Sequence, residues 1–137
     1  MIIAIREKNK ITEPQDAYKI LQAILDSENE IDRDKEHFWS IGLGTNKVIK
    51  YLELVSLGNL NCSIVHPREV FRMAIMKGVD SLILAHNHPS GEINPSKEDI
   101  RITTNLVKTG DIIGIKVIDH IIIADSMFYS FKEQGLL

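Results

Sequence analysis

Two nearly uninterrupted apolar runs constrain the fold of this chain more than any other feature. DSLILAHNH (80–88) and GIKVIDHIIIAD (114–125) each read as a short buried strand. Strands that are apolar on both faces are typical of sheets covered by helices on both sides. Segments with helical spacing alternate with the predicted strands, and a hairpin lies among them. The sequence therefore predicts an α/β fold with a single mixed β-sheet and flanking helices.

The remaining elements follow from turn and capping residues. A short strand is predicted at IIAIR (2–6), at a sheet edge, and a helix over 11–29 with Thr12 as N-cap. Strands at 38–43 and 48–55 form a hairpin around the turn GTNK, and a closing strand lies near the C-terminus. Two more helices are predicted, from Pro67 to Gly78 and from Lys97 to about Lys108. The predicted inner faces are Ala17, Ile20, Leu21, Ile24 and Leu25; Val70, Phe71, Ala74 and Ile75; and Ile100, Thr104 and Val107.

Composition argues against several classes of protein. A length of 137 residues fits one domain, and a formal net charge of −3 argues against a dedicated nucleic-acid binder. One cysteine, Cys62, excludes an intramolecular disulfide and a cysteine-built zinc site, which favours a reducing compartment. The apolar stretch at the N-terminus is too short for a signal peptide or a membrane span. We therefore expect a single cytoplasmic domain over 1–137 with no membrane partner, whose edge strand would permit pairing into a homo-oligomer.

The segment AHNHPSGEINPSKED (85–99) concentrates polar groups where a buried strand ends. His86 and His88 are two residues apart in a strand, so both side chains point to the same side. Ser96 and Asp99 have the spacing of a capping box, which places Asp99 in the first turn of a helix. Two imidazoles, one carboxylate and an open fourth position are typical of a catalytic zinc site.

These residues carry a family resemblance. His86-x-His88, seven residues, then Ser96-x-x-Asp99 resembles the signature of the JAMM (MPN/JAB) metalloproteases. HNHPSGEINPS, with HPREVF before it and DHIII after it, is similar to the RadC branch, and the likeness covers roughly residues 16–137. It implies the three-layer, cytidine-deaminase-like architecture of that superfamily. The helix-hairpin-helix segment of longer RadC proteins is not seen here, and SGEIN stands where many relatives read SGDP.

The resemblance also implies a mechanism. Zn²⁺ would be held by His86, His88 and Asp99, and a glutamate at the start of the strand after the first helix would activate water. Glu36 occupies that place, with Glu53 in the paired strand as the alternative. Ser96 would donate a hydrogen bond to the oxyanion of the tetrahedral intermediate.

Other polar residues have two interpretations each. His66 precedes a helix-starting proline and is expected to cap or pack there rather than join a site. Asp119 and His120 are neighbours in a strand and point to opposite faces, so one of them could support the metal ligands. Cys62 lacks the partners of a nucleophile, and Ser90 is expected to order its loop.

Three functions follow as hypotheses. The first is a zinc-dependent hydrolase of peptide or isopeptide bonds, with a protein or peptide substrate. The second is a module associated with DNA or DNA-processing proteins, including a metal-dependent nuclease, which the acidic composition disfavours. The third is a non-catalytic scaffold, which a fourth protein ligand such as His120 would favour.

Overall fold

The computed structural model describes residues 2–3, 10–58 and 65–137. Its strands are β1 (Ile2–Ile3), β2 (Glu36–Leu43), β3 (Ile49–Gly58), β4 (Ser81–Asn87), β5 (Lys116–Ala124) and β6 (Met127–Ser130). Within the described residues they form one six-stranded sheet in the order β1-β3-β2-β4-β5-β6. Strands β4 and β5 pair in parallel, whereas the other described neighbours pair antiparallel, so the sheet is mixed as predicted.

The helices are α1 (Pro14–Ser27), α2 (Glu30–Arg33), α3 (Pro67–Lys77) and α4 (Lys97–Ile113). Helix α4 connects β4 to β5, because two parallel neighbours need a crossover connection. No helix in the described part of the chain combines the length and apolar character needed to cross a membrane.

The two faces of the sheet carry separate hydrophobic clusters, which confirms the flanking helices. One cluster joins α1 to one face and includes Ala17, Leu21, Leu25, Trp39, Ile41, Ile83 and Ile121. The other joins α3 and α4 to the opposite face and includes Phe38, Val70, Phe71, Leu82, Leu84, Ile102 and Leu106. The central strands are therefore covered on both sides, as their apolar runs require.

The start of α1 differs from the prediction. Glu13, not Thr12, is the N-cap. The reason is Asp16, whose Oδ2 accepts from the backbone N–H and the hydroxyl of Thr12, both at 3.0 Å, and from the Glu13 N–H at 3.2 Å. A carboxylate in the first turn satisfies the exposed amides here, so the helix begins one residue later.

The predicted inner faces of α3 and α4 are partly wrong. Ile75 is 62% exposed, although Val70, Phe71 and Ala74 of α3 are buried as expected. Helix α4 continues beyond Lys108 and ends before Gly114, which has the left-handed φ of 80°. Of its predicted stripe, Ile100 and Thr104 are exposed, whereas Val107 is half-buried against the core. The buried residues are Asp99, Ile102, Thr103, Leu106 and Gly110. Because polar Asp99 and Thr103 turn inward, apolar spacing alone misplaces part of the buried face of this helix.

Gly110 lets the chain after α4 pack closely against the helix at Ile115, just before β5, which yields a stability prediction. A Cβ at this position would come within 2.4 Å of the Ile115 carbonyl oxygen, a backbone atom with little freedom to move. We expect Gly110→Ala to lower the free energy of unfolding by about 1–3 kcal/mol in spite of alanine's higher helix propensity. Chemical denaturation measures this loss.

The exposed neighbour provides the control for that variant. Asp111→Ala, in the same helix turn, should change the free energy of unfolding by less than about 0.5 kcal/mol. Equal stability of Gly110→Ala and the parent would show that α4 does not depend on this close approach.

Candidate metal centre

Three predicted ligands converge where β4 ends and α4 begins. His86 is the penultimate residue of β4, His88 follows that strand directly, and Asp99 lies in the first turn of α4. The Nε2 atoms of His86 and His88 are 3.0 Å apart. His86 Nε2 lies 3.3 Å from Asp99 Oδ1, and His88 Nε2 lies 3.0 Å from Asp99 Oδ2. Each residue thus offers one donor atom to a common centre.

The spacing of these atoms fits a small tetrahedral metal. With Zn–N bonds of about 2.0–2.1 Å, two nitrogens of a tetrahedral shell lie about 3.3 Å apart. The observed 3.0 Å between the two Nε2 atoms is close to that value. Two imidazoles and a carboxylate are ligands that zinc accepts, and they leave a fourth direction for water or substrate. The three residues could therefore hold a metal ion, and their donor atoms are compatible with zinc.

A loop carbonyl orients His88. Its Nδ1 lies 2.6 Å from the backbone oxygen of Glu92. A carbonyl oxygen only accepts, so Nδ1 carries the proton and the lone pair of the neutral ring sits on Nε2, toward the centre. Ser90 contributes to this loop as expected, since its hydroxyl accepts from the Glu92 N–H at 3.4 Å.

Capping hydrogen bonds at the start of α4 orient the Asp99 carboxylate toward the histidines. Ser96 is the N-cap, and its hydroxyl accepts from the Asp99 N–H at 3.0 Å. In return, Asp99 Oδ2 accepts from the Ser96 N–H at 2.8 Å, which completes the predicted capping box. The Ser96 hydroxyl keeps its own proton free for another acceptor, because it serves the helix as an acceptor only.

Burial and charge shift the titration of all three groups. Burial lowers the pKa of His86, and this outweighs the opposing attraction of the nearby Asp99 carboxylate. The hydrogen bond to Asp99 raises the pKa of His88, whose ring is partly exposed. Burial acts to raise the pKa of Asp99, but the neighbouring imidazoles of His86 and His88 outweigh this effect and lower that pKa. Asp99 is thus held ionised, as a cation ligand must be.

Glu36 is placed beside the histidines by the sheet register. Phe38 pairs with His86, and Glu36 comes two residues earlier on β2, so its side chain shares the face of Phe38 and His86. Its negative charge acts to raise the pKa of both His86 and His88. Glu53, the alternative base, pairs with Ser40. Ser40 lies four residues beyond Glu36 along β2, a distance of about 13 Å.

Asn87, which the sequence did not single out, fixes the strand end that carries Glu36. Its Oδ1 accepts from the His37 N–H at 2.6 Å, and its Nδ2 donates to the Lys35 carbonyl at 3.1 Å. The backbone on both sides of Glu36 is thereby tied to a residue between the two histidines. A lone asparagine in a strand carries no spacing signal, so sequence alone gives little reason to select it.

Three other residues considered from the sequence, His66, Asp119 and Cys62, lie away from the cluster of ligands or outside the described residues. His66 is the N-cap of α3, where its Nδ1 accepts from the Arg68 N–H at 3.1 Å, in line with the capping interpretation. Asp119 is buried and accepts from the Ser130 hydroxyl at 2.7 Å and the Lys132 N–H at 3.1 Å, so it secures the end of β6. Cys62 lies outside the described residues.

His120 stands next to the centre without joining its ligands. Its Nε2 lies 2.7 Å from His86 Nδ1, the ring nitrogen that faces away from Asp99. The structure therefore does not place His120 as a fourth ligand, the arrangement that would have favoured a scaffold.

Comparison with known proteins agrees with the motif. A family model described as the RadC-like JAB domain matches residues 11–136. UPF0758 proteins of Desulforamulus reducens, Clostridium acetobutylicum and Methanosarcina mazei are 51%, 47% and 44% identical to this chain. The alignments cover 77%, 96% and 95% of this chain but 47%, 55% and 55% of those proteins. The chain thus spans about half the length of the curated relatives it matches, and their names state no activity.

The role of Asn87 leads to a stability prediction. Asn87→Asp removes the donor to the Lys35 carbonyl and leaves a buried carboxylate against that oxygen. We expect the free energy of unfolding to fall by about 1–3 kcal/mol, measured by chemical denaturation. Asn94→Asp, the same charge change at an exposed loop position, is the control and should be nearly neutral. Equal effects of the two substitutions would contradict the role given to Asn87.

The raised pKa of His88 predicts how pH affects metal binding. The proton on His88 is present below its folded-state pKa and leaves as pH rises through that value, which lies above the ordinary one. A metal must displace this proton, so Zn²⁺ affinity should increase between about pH 5.5 and about pH 8. Titration calorimetry in buffers of different ionisation enthalpy should also show net proton release near neutral pH. An affinity independent of pH over this range would contradict the assignment.

Proposed function

Because this chain belongs to the RadC-like JAB domain family, we propose that it is a zinc-dependent hydrolase of peptide or isopeptide bonds. The observation that carries the proposal is the convergence of two Nε2 atoms and one carboxylate on a single centre. This donor set is typical of hydrolytic zinc sites, whereas structural zinc sites use four protein ligands.

Each protein group has a distinct task in the proposed reaction. His86, His88 and Asp99 would hold Zn²⁺, which when bound lowers the pKa of water and polarises a carbonyl group. The Glu36 carboxylate would take a proton from the attacking water and later deliver it to the leaving amine. The free hydroxyl proton of Ser96 would hydrogen-bond to the oxyanion, a contact worth about 2.7–4 kcal/mol where such donors have been removed.

Two features of the site support Glu36 as the base. Its position in β2 gives it the same face as His86, and its charge already acts on both histidines. The bonds from Asn87 to the backbone around it hold the strand end in register with β4. A base must be fixed relative to the water it deprotonates, and this support supplies that constraint.

Removing the base tests the proposal. Glu36→Gln keeps the size of the side chain but cannot accept the proton, so kcat should fall by roughly 100- to 10,000-fold. The zinc content, measured by elemental analysis, should stay at about one ion per chain, since Glu36 is not a ligand. The assay uses fluorogenic peptides and lysine isopeptides, with single- and double-stranded DNA in parallel.

Glu53→Gln is the matched control for this test. It makes the same substitution at the alternative glutamate and should retain most of the hydrolytic activity. An active Glu36→Gln variant would remove the assigned base. A zinc-loaded parent that cleaves DNA but no amide bond would instead point to the nuclease hypothesis.

A further inference from the structure

A chain of buried polar groups extends from His86 away from the metal centre. His86 Nδ1 lies 2.7 Å from His120 Nε2, across the paired strands β4 and β5. The other ring nitrogen of His120 contacts the Thr103 hydroxyl on α4, which lies 2.8 Å from the Asp99 carbonyl oxygen. His86, Thr103 and His120 are each at most 2% exposed. Water therefore has little access to this chain of contacts.

The proton positions in this chain follow from its last acceptor. The Asp99 carbonyl can only accept, so the single hydroxyl proton of Thr103 points to it. The Thr103 oxygen must then accept from His120 Nδ1–H. His120 lies between aromatic rings, stacked on Phe131 at 4.7 Å and edge-on to Phe38 at 5.6 Å, where an uncompensated positive charge would be costly. In the neutral ring, Nε2 is the acceptor.

The same assignment of donors and acceptors fixes which ring nitrogen of His86 carries the proton. Since His120 Nε2 accepts, the proton between the two rings belongs to His86 Nδ1. The lone pair of His86 is then on Nε2, the atom that faces His88 and Asp99. His88 reaches the same state through the Glu92 carbonyl. Two unrelated acceptors thus present both Nε2 atoms to one point.

We propose that Thr103 and His120 are positioning residues that hold His86 in its metal-binding tautomer and orientation. This inference rests on the metal site proposed above and deepens it. Neither residue offers a ligand atom to the metal centre; His120 contacts His86, and Thr103 contacts His120 and the backbone carbonyl of Asp99. Thr103 lies four residues after Asp99 on α4, so a single helical turn carries a ligand and the end of the relay formed by Thr103, His120 and His86.

The neighbouring threonine makes a sharp test available. Thr103 and Thr104 both donate to the carbonyl four residues earlier, each at 2.8 Å, but Thr104 is exposed and lies outside the relay. Thr103→Val and Thr104→Val therefore lose the same type of local bond, to Asp99 and Ile100 respectively, and only the first loses the acceptor for His120. Thr103→Ser restores the hydroxyl and serves as the conservative rescue. Circular dichroism and thermal melting verify that each variant is folded.

The first measurement is made without metal. In two-bond ¹⁵N–¹H correlation spectra at about pH 8, His86 of the parent should show the proton on Nδ1. Thr104→Val and Thr103→Ser should keep this pattern, whereas Thr103→Val should give a mixture of the two tautomers. A parent protein with the His86 proton on Nε2, or a Thr103→Val variant with an unchanged tautomer, would overturn the proposal.

The second measurement is Zn²⁺ affinity by competition with a chromogenic chelator. Thr103→Val should bind zinc roughly 10- to 100-fold more weakly than the parent, while Thr104→Val and Thr103→Ser stay within about twofold. His120→Gln, whose amide can both accept from His86 and donate to Thr103, should retain more affinity than His120→Leu. Equal affinity of Thr103→Val and the parent would overturn the proposal. A parent that binds no zinc would refute the proposed function, and the tautomer measurement would still decide the relay.

Discussion

The Asp99 carboxylate links the start of α4 to the histidines at the end of β4, so the position of one fixes the position of the other. Its Oδ2 accepts from the Ser96 N–H and also faces His88, while its Oδ1 faces His86. The positive end of the helix favours the ionised form, and so do both imidazoles. If α4 began at a different residue, the carboxylate would leave the histidines. Helix capping and ligand geometry are therefore the same interaction here.

Burying such a group of polar atoms is costly unless each has a partner. The outer nitrogen of each imidazole is occupied, by Glu92 for His88 and by His120 for His86. The inner nitrogens and the carboxylate are thereby left to face one another. The protein thus holds its candidate ligands close together through its own hydrogen bonds, and the extra proton favoured by His88 compensates the carboxylate. A divalent cation would take over that compensation with stronger bonds.

Local patterns predicted that His86, His88 and Asp99 lie together, but they predicted the buried face of α4 only in part. His86 and His88 follow from strand alternation, and Ser96 and Asp99 follow from the capping box, since both rules act within a few residues. The buried face of α4 was partly misassigned, because Asp99 and Thr103 point inward for chemical reasons while Ile100 and Thr104 are exposed. Apolar spacing assumes that burial follows hydrophobicity, and a buried polar site breaks that assumption.

Long-range polar contacts are the second feature that the sequence alone could not predict. Strand alternation narrowed the support of the ligands to Asp119 or His120, but only the pairing of β4 with β5 identifies His120. Asn87 and Thr103 give no periodic signal, because each acts through one hydrogen-bonding side chain whose partners lie on other elements or on the backbone. Such residues become visible once donors and acceptors are counted in three dimensions.

The two histidines depend on their surroundings in different ways. His86 is held by side chains in the closed interior, so its support requires particular residues at positions 103 and 120. His88 is held by the backbone oxygen of Glu92, which any residue at that position would supply. The side chains of this loop can therefore change without loss of the contact, provided that the path of the backbone is kept. The interior half of the site depends on particular side chains, whereas the loop half, beside the partly exposed His88, depends on the position of a backbone oxygen.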